Sequence, residues 1–119
     1  MNLMSGLILA LIIVLVMHLV EEIKTGFRHK LTIGTMPMPV FIGINTGVYI
    51  FCVFTLFLSL TNSLLAVPFA WVFAAGMLLN GLGHIGIMSY KRRYFPGGIS
   101  AFLLTVVATF LIVYLLTIR

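Results

Sequence analysis

The chain has 119 residues, of which 62% are hydrophobic and 8% are charged, and its mean hydropathy is +1.26. Soluble domains carry about 25% charged residues, so this composition excludes an ordinary soluble fold and predicts an integral membrane protein. In so apolar a chain, the net charge of +5 indicates contact with lipid headgroups rather than with nucleic acid. The single cysteine, Cys52, excludes a disulfide within the chain and a cysteine-rich metal site.

Four apolar stretches follow one another along the chain, each close to the roughly 20 residues that cross a bilayer as a helix. They cover residues 3–22, 40–60, 64–88 and 98–118, and Pro68 falls in the first turns of the third, where its missing N–H is tolerated. Alternation of period two is absent, and helices satisfy their own backbone hydrogen bonds in lipid. We therefore predict an all-α, polytopic membrane protein whose single domain, residues 1–119, is a bundle of four transmembrane helices.

The basic residues concentrate in two of the three connections, and the second connection has none. By the positive-inside rule, both basic connections are cytoplasmic and both termini lie outside. We expect the membrane to be that of a prokaryotic cell. The basic residues are Lys24, Arg28 and Lys30 in the first connection and Lys91, Arg92 and Arg93 in the third.

The first connection allows two interpretations. It mixes basic residues with Phe27, Leu31 and Ile33, and Pro37 and Pro39 prevent a helix from running into the second span. The segment lies either in the headgroup plane, as a short amphipathic cover over whatever is beneath it, or in water as a basic linker.

The strongly polar residues of the helices all fall at the predicted cytoplasmic end, which predicts one polar pocket to which four helices contribute. Polar groups in a membrane cost a few kcal/mol at depth, so their repetition in one layer indicates a use. Each also has a structural interpretation: the glutamates as the helix exit, the histidines and Asn80 as hydrogen-bonded contacts between helices. The set comprises His18, Glu21 and Glu22 on the first helix, Asn45 and Tyr49 on the second, Asn80 and His84 on the third, and Ser100 on the fourth.

Three short motifs carry a resemblance to a known family. Residues 18–22 read H-x-x-E-E, His84 supplies a second histidine, and residues 94–97 read Y-x-P-G. In this order the chain resembles the HXXEE domain family of small integral membrane proteins. That family has no settled activity, so the resemblance selects residues without fixing the chemistry. It implies that the residues to test are His18, Glu21, Glu22, His84, Tyr94, Pro96 and Gly97.

A metal site is one use of these residues. Imidazole and carboxylate ligands suit Zn, Fe or Mn. The chain has only two acidic residues, which excludes a dinuclear carboxylate site unless chains share it. A mononuclear divalent site of His18, His84 and Glu22 is predicted, with Glu21 and Asn80 as further candidate ligands. The glutamate that does not bind is then a candidate general base.

A metal-free site is the alternative, with Glu21, Glu22 and His18 exchanging protons with a substrate near neutral pH. Tyr94 is a further catalytic candidate. Asn45 and Tyr49 are candidate substrate contacts within the pocket. Arg92 and Arg93 are candidate contacts for an anionic headgroup, or else serve only as a topology signal that touches anionic lipid.

The segment Gly81–Gly86 matches the dinucleotide fingerprint G-x-G-x-x-G, but we reject that function. The fingerprint needs a strand before it and an acidic residue about 20 positions later, whereas this segment lies in an apolar helix with no acid after it. We expect these glycines, and Gly43 and Gly47 in the second span, to let helices approach closely.

Three functions remain open. The first is an enzyme that acts on a lipid-like, apolar or amphipathic small molecule. The second is a small proton-coupled transporter working as a homo-oligomer, which the edge position of Glu21 and Glu22 disfavours. The third is an interaction subunit without catalysis, whose polar layer only holds helices together.

Overall fold

A computed structural model describes residues 1–31 and 34–118 of the chain. The helices are α1 (Leu3–Thr25), α2 (Met38–Leu60), α3 (Ala66–Lys91) and α4 (Gly98–Thr117). All four are long and apolar enough to cross a membrane, and the described residues form no β-strand. The predicted all-α fold of four apolar helices is therefore confirmed.

The helix ends differ from the predicted bounds by a few residues. Helix α1 runs past residue 22 to Thr25 and stops at Gly26, whose left-handed φ of 74° lets its N–H reach the carbonyls of Glu22 and Ile23. Helix α2 begins two residues earlier than predicted, because a proline in the first turn, Pro39, suits a helix start. Helix α3 begins at residue 66 instead of 64 and continues to Lys91.

The core is formed mainly by α1, α3 and α4. Ile8 and Leu11 of α1, Ala74 of α3, and Leu104 and Leu111 of α4 are fully buried. Helix α2 lies more at the periphery. Its buried residues are Phe41, Cys52, Thr55, Leu58 and Ser59.

The glycines predicted to admit neighbouring helices do so at one place and not at another. A Cβ atom on Gly81 would lie 2.9 Å from the carbonyl oxygen of Ala101 in α4, so α3 and α4 require a glycine there. In contrast, Cβ atoms on Gly43 and Gly47 would meet no atom within 4 Å. The same holds for Gly83 and Gly86 of α3. The expectation that these four glycines mediate close helix packing is therefore wrong, because no neighbouring helix reaches them.

Hydrogen bonds between side chains join the helices at both ends of the bundle. The hydroxyl groups of Ser5 in α1 and Ser59 in α2 lie 2.7 Å apart at one end. At the other end, Nδ1 of His18 in α1 lies 2.8 Å from the hydroxyl oxygen of Ser100 in α4. Both basic connections, from α1 to α2 and from α3 to α4, are at this second end.

Candidate functional site

Three ionisable side chains meet where α1 and α3 approach the basic connections. Glu22 Oε1 lies 3.2 Å from Nε2 of His18, one turn earlier on α1, and 3.2 Å from Nε2 of His84 on α3. The two imidazole rings are almost perpendicular, with centroids 4.6 Å apart. All three residues are buried, and one donor atom from each lies within 4.8 Å of the others. The structure thus brings together the predicted His/Glu cluster.

Ser100 fixes the orientation of His18. Its hydroxyl proton has two acceptors, Glu21 Oε2 at 3.2 Å and the Gly97 carbonyl oxygen at 3.2 Å. When that proton is donated to either one, the Ser100 oxygen is free to accept the Nδ1–H of His18. The hydrogen-bond pattern therefore favours a proton on Nδ1 of His18.

The other ring nitrogen of His18 lies beside a carboxylate. His18 Nε2 is buried and has no hydrogen-bond partner among the described residues, although Glu22 Oε1 lies 3.2 Å away. A nitrogen lone pair and a carboxylate repel each other unless a proton or a metal ion lies between them. Nδ1 of His84 is likewise buried without such a partner in the described part of the chain.

Glu21 has a separate role at the beginning of α4. Its carboxylate oxygens accept hydrogen bonds from the backbone N–H groups of Ile99, at 2.9 Å, and Ser100, at 3.1 Å. These are unsatisfied donors of the first helical turn, and the positive end of the helix dipole favours a carboxylate there. This engagement commits the Glu21 carboxylate to the start of α4 and leaves Glu22 as the acid of the cluster.

The Y-x-P-G segment supports the cluster through its last residue. Gly97 has a φ of 86°, and a Cβ atom there would lie 2.8 Å from Cε1 of both His18 and His84. Only glycine lets the backbone pass this close to both rings without strain. Pro96 is buried beside it, whereas the Tyr94 side chain is 45% exposed and lines a surface cavity.

Two phenylalanines cover His84. The ring centroids of Phe27, in a 3₁₀ turn after α1, and of Phe95 each lie 5.5 Å from that of His84. Through Phe27, the first connection thus folds back over His84, as in the interpretation of this segment as a cover. Its Ile33 lies outside the described residues. We did not single out Phe95 from the sequence, although its place inside the Y-x-P-G motif is a usable signal.

A cavity of about 350 Å³, here called the chamber, lies beside the cluster between α1, α2 and α3. His18 and Glu22 form part of its wall, and Asn45 and Asn80 add two amides. The amide nitrogen of Asn45 donates to the carbonyl of Phe41, one turn earlier. Tyr49 does not line the chamber. The apolar part of the wall comprises Leu15, Leu19, Phe27, Met36, Phe41, Ile44, Val48 and Met77.

A second cavity, of about 620 Å³, lies at the surface beside the third connection. Its lining includes the cations Lys30, Lys91 and Arg93, but not Arg92. The ammonium group of Lys91 lies 5.7 Å from the centre of the Phe95 ring, which also packs on His84. Phe95 therefore stands between this basic cavity and the cluster.

A comparison with known protein families places these residues of α1 and α3 in a family context. A family model described as a protein of unknown function with HXXEE motif matches residues 9–112. The chain belongs to the HXXEE family. No curated protein and no solved structure gives a significant match. In this HXXEE protein, the first and last residues of the motif, His18 and Glu22, belong to the cluster. Glu21 instead accepts hydrogen bonds from the first turn of α4.

Proposed function

We propose that this HXXEE protein is a membrane-embedded, metal-dependent enzyme. His18, Glu22 and His84 would bind one divalent Zn, Fe or Mn ion, and the substrate would be a lipid-like or amphipathic small molecule held in the chamber. The observation that carries the proposal is the convergence of two imidazole nitrogens on one carboxylate oxygen, each 3.2 Å from it, in a buried site.

The donor set fits such an ion in spacing and in chemistry. Ligand atoms about 2.0–2.1 Å from a tetrahedral ion lie roughly 3.3 Å apart, close to the two 3.2 Å separations. Two histidines and one carboxylate are a common set for a mononuclear site with open positions. Ser100 holds the second ring nitrogen of His18 at 2.8 Å, which is the usual way of orienting a ligating imidazole.

The chemistry follows from the residues around the three ligands. A bound ion would supply Lewis acidity and would lower the pKa of a bound water towards neutrality. Phe27 and Phe95 cover His84 and keep bulk water from the cluster. The amides of Asn45 and Asn80 line the chamber together with His18 and Glu22, and they would orient the polar part of a substrate there.

The remaining predicted substrate contacts have a weaker basis in the geometry. Arg93, with Lys30 and Lys91, lines the basic surface cavity, where these cations would bind an anionic headgroup. Arg92 lies outside that cavity, and Tyr49 lies outside the chamber. We therefore retain Arg93 as the headgroup candidate and Asn45 as the chamber candidate.

Transport has less support than catalysis. A transporter needs a path that opens from the site towards the opposite face of the membrane. Beyond His18, the fully buried residues Ile8, Leu11 and Leu111 fill the bundle, and the Ser5–Ser59 hydrogen bond joins helices at the far end. A packed core thus lies between the polar cluster and the opposite end of the bundle. The chamber lies only at the end of the bundle that holds the cluster.

Metal analysis tests the proposal. The wild-type protein, His18→Ala, Glu22→Gln and His84→Ala are purified in mild detergent without oxygen or chelators, and each is offered Zn²⁺, Fe²⁺ and Mn²⁺ separately. His29→Ala is the matched control, because His29 is exposed in the first connection and lies outside the cluster. We expect about one ion per chain in wild type and in His29→Ala, and at least a tenfold loss of affinity in the other three.

Two results would contradict the metal site. Wild type that binds none of the three ions under these conditions would leave acid–base chemistry, transport or an interaction role. Binding that weakens equally in His29→Ala would assign the ion to the exposed surface.

A further inference from the structure

An apolar groove runs along the membrane-facing side of α2 and α3. It has a volume of about 430 Å³, and Gly43 and Gly47 of α2 and Gly76 of α3 lie along it. A Cβ atom on any of these three glycines would meet no atom within 4 Å, so the recess is open space. Ile44 and Val72, also on its walls, are more than half exposed. Lipid therefore has direct access to the groove.

The groove adjoins the chamber. Ile44, Val48 and Met77 line both cavities. The wall of the chamber includes His18, which is 1% exposed and whose Nε2 lacks a hydrogen-bond partner among the described residues. Two neighbouring cavities thus lie between the lipid-facing side of α2 and α3 and this buried nitrogen.

The dimensions of the groove fit a narrow occupant. Residues 43–52 of α2 form one wall, and at 1.5 Å per residue this length is about 14 Å. The volume then corresponds to a mean cross-section of about 30 Å², whereas a helix about 10 Å wide has a cross-section of about 80 Å². A second copy of the chain can lie over the groove but cannot fill it, whereas one hydrocarbon chain can.

We propose that this groove binds the acyl chain of a single-chain amphipathic lipid, which enters sideways from the bilayer with its polar end in the chamber. This inference rests on the proposed function, because it names the substrate class of the same site. The polar end then lies beside Asn45 and Asn80 and adjoins Glu22, while the apolar chain lies between α2 and α3.

Photo-crosslinking tests the groove directly. The probe is palmitic acid with a diazirine in its chain and a terminal alkyne, added to protein in phosphatidylcholine vesicles, and labelled residues are mapped by mass spectrometry. We expect labelling of the 43–52 and 72–77 segments that unlabelled palmitic acid competes away. Phe110, a lipid-facing residue of α4 that is 62% exposed, is expected to show only weak labelling without competition.

Glycine substitutions supply the matched variants. Gly47→Phe and Gly76→Phe add a ring at two positions of the groove where a Cβ atom meets no atom within 4 Å, and each is expected to reduce the competable labelling at least fivefold. Gly86→Phe, on the same α3 helix with equal open space but outside the groove, is expected to leave it unchanged. Thermal unfolding of the same samples verifies that each variant has folded, and their metal content is measured separately.

The results separate the two proposals. Even, non-competable labelling of all lipid-facing helices overturns the groove as a binding site. Cross-linking of two copies through Val72→Cys in a Cys52→Ser background would show that a second copy covers the mouth of the groove, and it overturns sideways entry from the bilayer. Retained metal together with either result overturns this inference alone. Competable groove labelling in a wild-type protein that binds no metal overturns the metal centre alone.

Discussion

The carboxylate of Glu21 accepts a hydrogen bond from the backbone N–H of Ser100 at 3.1 Å, which ties the end of α1 to the start of α4. The next residue, Glu22, instead faces His18 and His84. Consecutive residues on a helix point about 100° apart, so adjacent glutamates reach different neighbours. The two acids of the motif thus have separable effects on stability and on the site.

Glu21→Gln is expected to lower stability while leaving the cluster intact. The substitution removes a negative charge at a helix N-terminus and weakens charge-assisted hydrogen bonds, which costs about 1–2 kcal/mol. Thermal unfolding in detergent should show a midpoint several degrees lower, with metal content unchanged. Glu22→Gln is the comparison: it should lose metal while its unfolding midpoint stays close to that of wild type. Equal metal loss in both variants would contradict the separation of roles.

Gly97→Ala is expected to disturb the site through the backbone. Its new Cβ would lie 2.8 Å from Cε1 of both imidazoles, in a backbone conformation with positive φ. The strain amounts to about 1–3 kcal/mol, and the rings must move apart to relieve it. Thermal unfolding and metal titration should both show a loss. Gly86→Ala, which has open space around it, is the control and should behave as wild type.

Ser100→Ala is expected to weaken metal binding by roughly 10–100-fold, because the orienting partner of His18 Nδ1 is removed. A competition titration with a fluorescent chelator measures the affinity. Ser59→Ala removes a comparable serine–serine hydrogen bond at the opposite end of the bundle and serves as the control. It should lower the unfolding midpoint and leave the metal affinity unchanged; equal weakening in both variants would refute an orienting role for Ser100.

The predicted orientation has its own test. In a Cys52→Ser background, single cysteines are introduced as Lys30→Cys in the first connection and Leu64→Cys in the second, both exposed positions. A membrane-impermeant maleimide added to intact cells should label Leu64→Cys only, because basic connections are expected to remain in the cytoplasm. Labelling of Lys30→Cys instead would reverse the assignment of both termini to the outside.

The sequence alone predicts the four helices and the level of the cluster. Long apolar stretches admit one backbone solution in lipid, and helix length then places His18 and His84 at similar depth. What it cannot decide is which of Glu21 and Glu22 faces His84. That choice depends on the rotation of α1 against α3 and α4, which is set by tertiary packing and by the amides at the start of α4.

Glycine spacing is a second feature whose structural meaning the sequence alone does not decide. The G-x-x-x-G pattern of Gly43 and Gly47 occurs both where helices touch and where a cavity opens, because a missing side chain permits either arrangement. Only the position of neighbouring helices distinguishes them, and at Gly43 and Gly47 the result is a groove. The importance of Gly97 was implied by the family motif, but its cause, two rings against one Cα, needed coordinates.

The separate engagement of the two acids also determines the charge that this end of the bundle presents to the membrane. The chain contains no third acidic residue, so neither Glu21 nor Glu22 is left to balance the cations of the connecting segments. That end of the bundle therefore carries a rim of positive charge, where anionic lipid headgroups are expected to gather. An annulus enriched in such lipids would sit directly beside the enclosed imidazoles.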